Sequence, residues 1–202
     1  MRKFTGGTIL VATHNPGKLE EMESLLNPYD IVVRGAADFN LPEPEEYEDT
    51  FAGNARIKAR CAMEATGLPA LADDSGVEID ALGGAPGVHT ADWAETENGR
   101  DFIMAMKKTR GLLVQSATPE PWTARFCCAL VLAWPDGHDE VFSGNVEGKI
   151  VWPMRGEQGH GYDPVFQPDG YNMTFGEMDP GEKNRISHRA VAFSKMVNRC
   201  FV

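Results

Sequence analysis

The chain has 202 residues, 42% hydrophobic and 24% charged, a balance that fits one globular domain, disfavours extended disorder and requires no disulfide staples. Thirty acidic against 19 basic residues leave a net charge of −11, which repels an extended phosphate backbone and excludes duplex nucleic acid as a partner. No apolar run approaches the ~18 residues of a membrane span, Met1–Gly7 lacks the apolar centre of a signal peptide, and the four cysteines have no zinc spacing. A cytoplasmic protein without a membrane partner is expected, and one small anion travelling with a divalent cation stays compatible with the charge.

Thr8–Ala12 reads as a short buried strand. Thr13–His14–Asn15–Pro16–Gly17 follows, then Leu19, Met22, Leu25 and Leu26 at helical spacing, with Pro16 suited to a first turn. Exposed N–H groups and Lys18 at such a helix start can hold phosphate oxygens. It is not a Walker loop, because Ala12 and Leu19 stand where that frame needs glycine and a hydroxyl residue.

Residues 42–49 are rich in proline and glutamate, and Glu43, Glu45, Glu46, Glu48 and Asp49 together read as a solvated face. Asp49 or Thr50 then caps a helix that ends near Gly67 and carries Phe51, Ala55, Ala59 and Ala62 on one stripe. Asn54 and Lys58, at i and i+4 beside that stripe, can reach the same ligand.

Residues 70–81 read as a strand interrupted by a polar turn at Asp73–Asp74–Ser75–Gly76. Two adjacent carboxylates among apolar neighbours repel each other unless a lysine or a hard cation neutralises them. Mg²⁺ takes one or two carboxylates plus substrate phosphates, so one glutamate from the acidic run and one of this pair would suffice.

Gly83–Gly87 is loop, and a helix from about Asn98 to Arg110 carries Phe102, Ile103 and Met106. Ala124–Trp134 and Glu140–Val146 form a hairpin across Pro135–Asp136–Gly137, a Gly-spaced segment occupies 156–163, and a last helix begins near Ser187. Its apolar face is Phe193, Val197 and Cys200 or Phe201. Lys183, Arg185, His188 and Arg189 then place positive charge at a helix start against the macrodipole, as donors gathered for an anion or a carbonyl-rich ring would be. Ser187 equally serves as the N-cap. The order β-α-α-β-α-β-β-α implies a mixed-sheet α/β or α+β domain.

Several blocks in order resemble the inosine triphosphate pyrophosphatase family over nearly the whole chain. They are Ala12–Lys18, Thr50–Phe51 with Asn54–Ala55 and Lys58–Ala59, Ala72–Gly76, Ala81–Val88, Gly161–Phe166, and Glu182–Asn184 with Ser187–Arg189. The resemblance implies an elongated α/β fold with a long central mixed sheet, one domain over 1–202 with two lobes around a cleft, and a homodimer. It also implies Mg²⁺-dependent hydrolysis of ITP, dITP and XTP to the monophosphate and pyrophosphate. On this pattern Thr13, His14, Asn15, Pro16, Gly17, Lys18, Lys58 and Ser75 contact phosphates, with Asn54 among the substrate contacts. Asp74 is the general base and a metal-linked acid, Glu46 is the second metal acid, and Lys58 and Asp73 complete the catalytic group. His160, Gly161, Tyr162, Asp163, Lys183, His188 and Arg189 surround the nucleoside.

Two positions depart from that pattern. His160 stands where the family commonly has a phenylalanine that stacks on the base, and Asp92 in Thr90–Ala91–Asp92–Trp93 replaces an arginine. Two other functions remain alternatives: a septum-inhibitor-type pyrophosphatase acting on other modified nucleotides, and a nucleotide-binding protein without turnover.

Overall fold

Strand residues alternate between the two faces of a sheet, and that alternation organises the molecule. The computed structural model describes residues 2–201. Its main sheet has six strands: β1 (Gly7–Val11), β2 (Ile31–Gly35), β3 (Ala70–Ile79), β6 (Trp122–Ala133), β7 (Asp139–Ile150) and β8 (Phe166–Pro168), in the order β2-β1-β3-β6-β7-β8. β1 pairs in parallel with β2 and β3, whereas β7 and β8 are antiparallel, so the sheet is mixed as expected. A two-residue pair, β4 (Glu95–Thr96) and β5 (Gly99–Arg100), stands apart. The helices are α1 (Pro16–Leu26), α2 (Phe51–Thr66), α3 (Phe102–Gln115), α4 (Pro180–Ile186) and α5 (His188–Cys200). None among the described residues is long and apolar enough to cross a membrane.

The chain divides into two compact units. The first holds the residues up to Asp74, Cys128–Gly144 and those from Val191 onward; the second holds Ser75–Cys127 and Asn145–Ala190. In the first unit, Ile9 and Val11 of β1 and Leu71 of β3 pack with Met22 and Leu26 of α1 and with Ala192, Phe193, Met196 and Val197 of α5. The residues of opposite parity, Leu10, Ala70 and Ala72, pack instead with Ala55, Ala59, Ala62 and Met63 of α2. Odd positions of β3 in this stretch therefore serve α1 and even positions serve α2. The alanines of α2 let the helix lie close to the strands, and Thr50 and Gly67 end it: Thr50 Oγ1 accepts from Gly53 N at 3.1 Å, and Gly67 adopts a left-handed φ of 69°.

The second unit packs Val77 and Ile79 with Ala105, Met106 and Leu113 of α3 and with Phe126, Phe166 and Phe175, whose rings lie within 4.5–5.8 Å of one another. Each ring buries a large apolar area and gains edge or offset contacts as well.

Three local expectations are corrected. β3 runs unbroken through Asp73–Asp74–Ser75–Gly76, because each aspartate meets a lysine and extended backbone delivers the two to different helices. The helix expected from Asn98 starts at Phe102, since Asp101 caps it through Met104 N at 2.9 Å while Gly99–Arg100 is strand; Ile103 faces outward, 53% exposed. The last helix begins at His188 with Ser187 capping it through Ala190 N at 3.1 Å, as expected, but a further short helix, α4, precedes it, capped by Asp179 and ending at Ile186. Lys183 and Arg185 thus sit in the last turn of α4, where positive charge agrees with the dipole.

Candidate active site

At the end of β1 the chain turns sharply into α1. Asn15 is the N-cap, its Oδ1 accepting from Gly17 N at 2.9 Å and Lys18 N at 3.2 Å, and Pro16 occupies the first turn. Thr13 Oγ1 accepts from Asn15 N at 3.2 Å, and the His14 ring nitrogen Nε2 lies 2.8 Å from the Leu41 carbonyl. Thr13–Lys18 is thus a braced turn at a helix start, tied through His14 to the approach of the acidic segment.

Lys18 Nζ reaches back over this turn to Asp73 Oδ2 at 2.9 Å. From α2, Lys58 Nζ lies 3.6 Å from Asp74 Oδ1 and 2.9 Å from Glu46 Oε1 of the acidic segment. Helix and strand parity explain the arrangement: Asp73 follows Leu71 toward α1, and Asp74 follows Ala72 toward α2. Asn54, one turn before Lys58, is buried, with Oδ1 accepting from Glu48 N at 2.9 Å and Nδ2 donating to Asp74 Oδ2 at 3.4 Å. Six residues distant in sequence, Lys18, Glu46, Asn54, Lys58, Asp73 and Asp74, are therefore gathered in one unit.

Burial dominates the electrostatics. It pushes the Asp74 carboxyl up to about 6; the Lys58 and Lys18 ammonium groups pull it down, and Glu46 and Asp73 push it further up. For Lys58 burial disfavours the charge, but Asp74, Asp73 and Glu46 outweigh it and lift the pKa above the ordinary lysine value. Lys58 is accordingly a permanent cation and Asp74 a carboxylate that can exchange a proton near neutrality.

Three carboxylates, Glu46, Asp73 and Asp74, face two ammonium groups, Lys18 and Lys58. The surplus negative charge and the hard oxygen donors fit a divalent cation such as Mg²⁺ held by Glu46 and Asp74. Mg²⁺ bound by one or two carboxylates takes its remaining ligands from water and substrate phosphates; among the described residues no group of three or more His, Cys, Asp or Glu side chains is arranged to hold a metal.

The residues assigned to the nucleoside lie in the second unit. Asp163 is buried and accepts from His160 N at 2.7 Å and from Lys183 Nζ at 2.5 Å. Gly161 takes a left-handed φ of 67° between them. Tyr162 points into the core, its hydroxyl 3.2 Å from Thr109 Oγ1. His160 is exposed, Ser75 is half-buried in β3, and His188 and Arg189 open α5 as buried residues. The His188 ring stacks on Phe126 at 4.9 Å and 13°. Phe126 and Thr109 are partners that the sequence offers only as apolar strand and helix positions. Asp92 pairs with His89 Nδ1 at 2.7 Å on the surface.

Comparison with known proteins bears on family and fold. The Ham1 family model matches residues 9–199. The dITP/XTP pyrophosphatase of Ruegeria pomeroyi is 64% identical over 200 residues, covering 99% of this chain and 98% of that protein. The dITP/XTP pyrophosphatase of Agrobacterium fabrum is 54% identical over 211 residues, covering 99% of each. The structure of a HAM1 protein from Coxiella burnetii superposes with a TM-score of 0.88 at 37% identity, covering 95% of this chain and 96% of that one. With its fold, its length and its sequence all accounted for, this chain belongs to the Ham1 family.

Proposed function

We propose that the protein hydrolyses non-canonical purine nucleoside triphosphates, dITP, XTP and ITP, to the monophosphate and pyrophosphate with Mg²⁺, as a cytoplasmic homodimeric enzyme whose residues 1–202 act as one pyrophosphatase domain. The observation that carries this reading is the Lys58 ammonium between Glu46 and Asp74, beside the Lys18–Asp73 pair, at the mouth of a helix start. The names of the curated relatives support the substrate class.

Phosphoryl transfer asks chiefly for positioning and for neutralisation of charge. Lys18 and Lys58 supply positive charge for phosphate oxygens; the Thr13–Gly17 turn, whose Asn15 and Gly17 N–H groups are taken within it, seats Lys18 at the helix start, and Ser75 adds a hydroxyl. Glu46 and Asp74 would hold the Mg²⁺, which when bound neutralises phosphate charge and makes the phosphorus easier to attack. Asp74 takes a proton from water as the water oxygen bonds to the α-phosphorus; the α–β anhydride bond breaks and pyrophosphate departs. In the metal-free protein the carboxyl near 6 is mostly ionised at neutral pH, the form that both holds a cation and accepts a proton. Lys58 stays protonated throughout, so it contributes charge and hydrogen bonds, not a base.

In the second unit, Lys183, His188 and Arg189, with the 160–163 turn, are assigned to the nucleoside. Arginine has donors only, which suits the O6 of hypoxanthine or xanthine and opposes the amino group of adenine. A triphosphate panel of dITP, XTP, ITP, dTTP, 5-methyl-dCTP and ATP tests the whole reading. Pyrophosphate release with Mg²⁺ from the first three, and little from the others, is the expected result; a preference for the modified pyrimidines would move the enzyme to the septum-inhibitor type, and no release would leave a binding protein.

A further inference from the structure

The acidic segment 42–49 lacks regular secondary structure, yet Glu46 must be delivered to Lys58 and Asp74. Two features of the first turn of α2 hold it there. Asn54 accepts from the Glu48 backbone N–H, which fixes the orientation of its amide: the oxygen faces Glu48, and the NH₂ therefore faces Asp74. Gly53 lies flush against the same residue. A Cβ at position 53 would fall 2.6 Å from Glu48 Cβ and 2.8 Å from Glu48 Cγ, closer than carbon atoms approach, and these atoms are too near the backbone to swing away. Gly53 has no positive φ to require glycine, so close approach is what its bare backbone serves.

We propose that Gly53 and Asn54 form a seat for the acidic segment, and that Asn54 is a positioning residue which sets Glu46 and Asp74 in register rather than a contact to nucleotide. This rests on the pyrophosphatase reading for its catalytic consequence, though not for the seat itself. The Asn54 amide is spent at both ends on protein groups, and it links a backbone two residues beyond Glu46 with one oxygen of Asp74 while Lys58 engages the other. Partners of this kind orient carboxylates that hold metals, and their loss typically lowers metal affinity or activity by about 10–100-fold.

Two variants separate the seat's two functions in the full chain. Asn54→Asp keeps an oxygen to accept from Glu48 N but removes the donor facing Asp74. It should lower kcat for dITP at least about tenfold with KM within about twofold, without loosening the segment. Gly53→Ala pushes Glu48 outward; the half-saturating Mg²⁺ should rise several-fold, and a protease that cuts after glutamate should nick 43–48 several-fold faster in nucleotide-free protein, read by mass spectrometry. Ala62→Gly, two turns along the same helix, lowers Tm and should change neither readout. A normal kcat with raised KM in Asn54→Asp would make Asn54 a nucleotide contact and overturn the proposal. Unchanged nicking and Mg²⁺ response in Gly53→Ala would remove the seat. If the wild type releases no pyrophosphate, the functional reading fails by itself, and the nicking rates of Gly53→Ala and Asn54→Ala still decide the seat.

Discussion

Two clusters in this molecule set three carboxylates around basic side chains and have opposite character. In the first unit Lys18 pairs with Asp73 and Lys58 with Glu46 and Asp74; in the second, Arg125 faces Glu78 at 3.4 Å, Asp80 at 3.1 Å and Glu147 at 3.2 Å. In both, carboxylates outnumber cations. Asp74 is 7% exposed, and burial pushes it up to about 6. The Asp80 side chain is 45% exposed, and a 2.6 Å hydrogen bond from Thr123 Oγ1, aided by Arg125, holds its carboxyl below the ordinary value. Beside it, burial and Glu78 push the Cys127 thiol up to about 12, which leaves it inert. Counting charges does not distinguish a reactive site from a surface brace; desolvation does.

The largest effect that would break this comparison is on turnover. Asp74→Asn keeps the shape of the side chain but cannot take a proton, so kcat should fall by on the order of 10³ with the circular-dichroism spectrum unchanged. Asp80→Asn should stay within about twofold of wild type. Comparable losses in the two would mean the clusters act alike. Next, Lys58→Ala and Lys18→Ala should each weaken dITP binding by on the order of tenfold or more and dIMP binding far less, because the monophosphate lacks the groups they hold. Titration calorimetry with both nucleotides checks this, with Arg125→Gln as the variant that should move neither.

The pH profile comes third. Burial puts Asp74 near 6 in the metal-free protein, so protons compete there with Mg²⁺: the half-saturating Mg²⁺ should hold above that value and rise about tenfold per pH unit below it. A half-saturating Mg²⁺ flat to pH 4.5 would place the metal elsewhere. The smallest expected effect is on stability, and it differs in sign between the clusters. Asp74 has a folded value above its unfolded one, so its favourable contribution is present at low pH and is lost as pH rises through about 6; above that, the buried charge is a burden. Asp74→Asn should therefore raise Tm at pH 8, by on the order of 3–6 °C, with the gain shrinking toward pH 4. Asp80 is shifted down, so its contribution is present at neutral pH and lost only in acid. Asp80→Asn should lower Tm slightly at pH 8, and calorimetric scans at the two pH values compare both variants.

Much of this was legible in the sequence where local chemistry decides. Pro16 after an N-cap, Thr50 and Gly67 at the ends of α2, and the apolar stripe of α5 act within one turn of helix, and each is found where it was expected. The strand Ile31–Gly35 was not legible, because five residues ahead of a turn carry too little pattern, and β8 is shorter still. Asp73–Asp74–Ser75–Gly76 has the composition of a turn and the structure of a strand, since the lysines that neutralise it arrive from 55 residues upstream and from the neighbouring helix. In the site, the structure brings Lys58, expected at phosphate, against Glu46 and Asp74, the two carboxylates expected at the metal. The role of the Glu48 backbone was invisible, because no sequence pattern announces that a main-chain N–H will be taken by a side chain six residues on.

The alternation of β3 has a further consequence for the two aspartates. They are adjacent and chemically identical, an arrangement that invites the idea of a spare. Because odd residues are delivered to α1 and even residues to α2, Asp73 meets Lys18 and Asp74 meets Lys58. The two aspartates are divided between two lysines, not held as duplicates, and inserting one residue ahead of them would exchange their places along with every buried side chain around them.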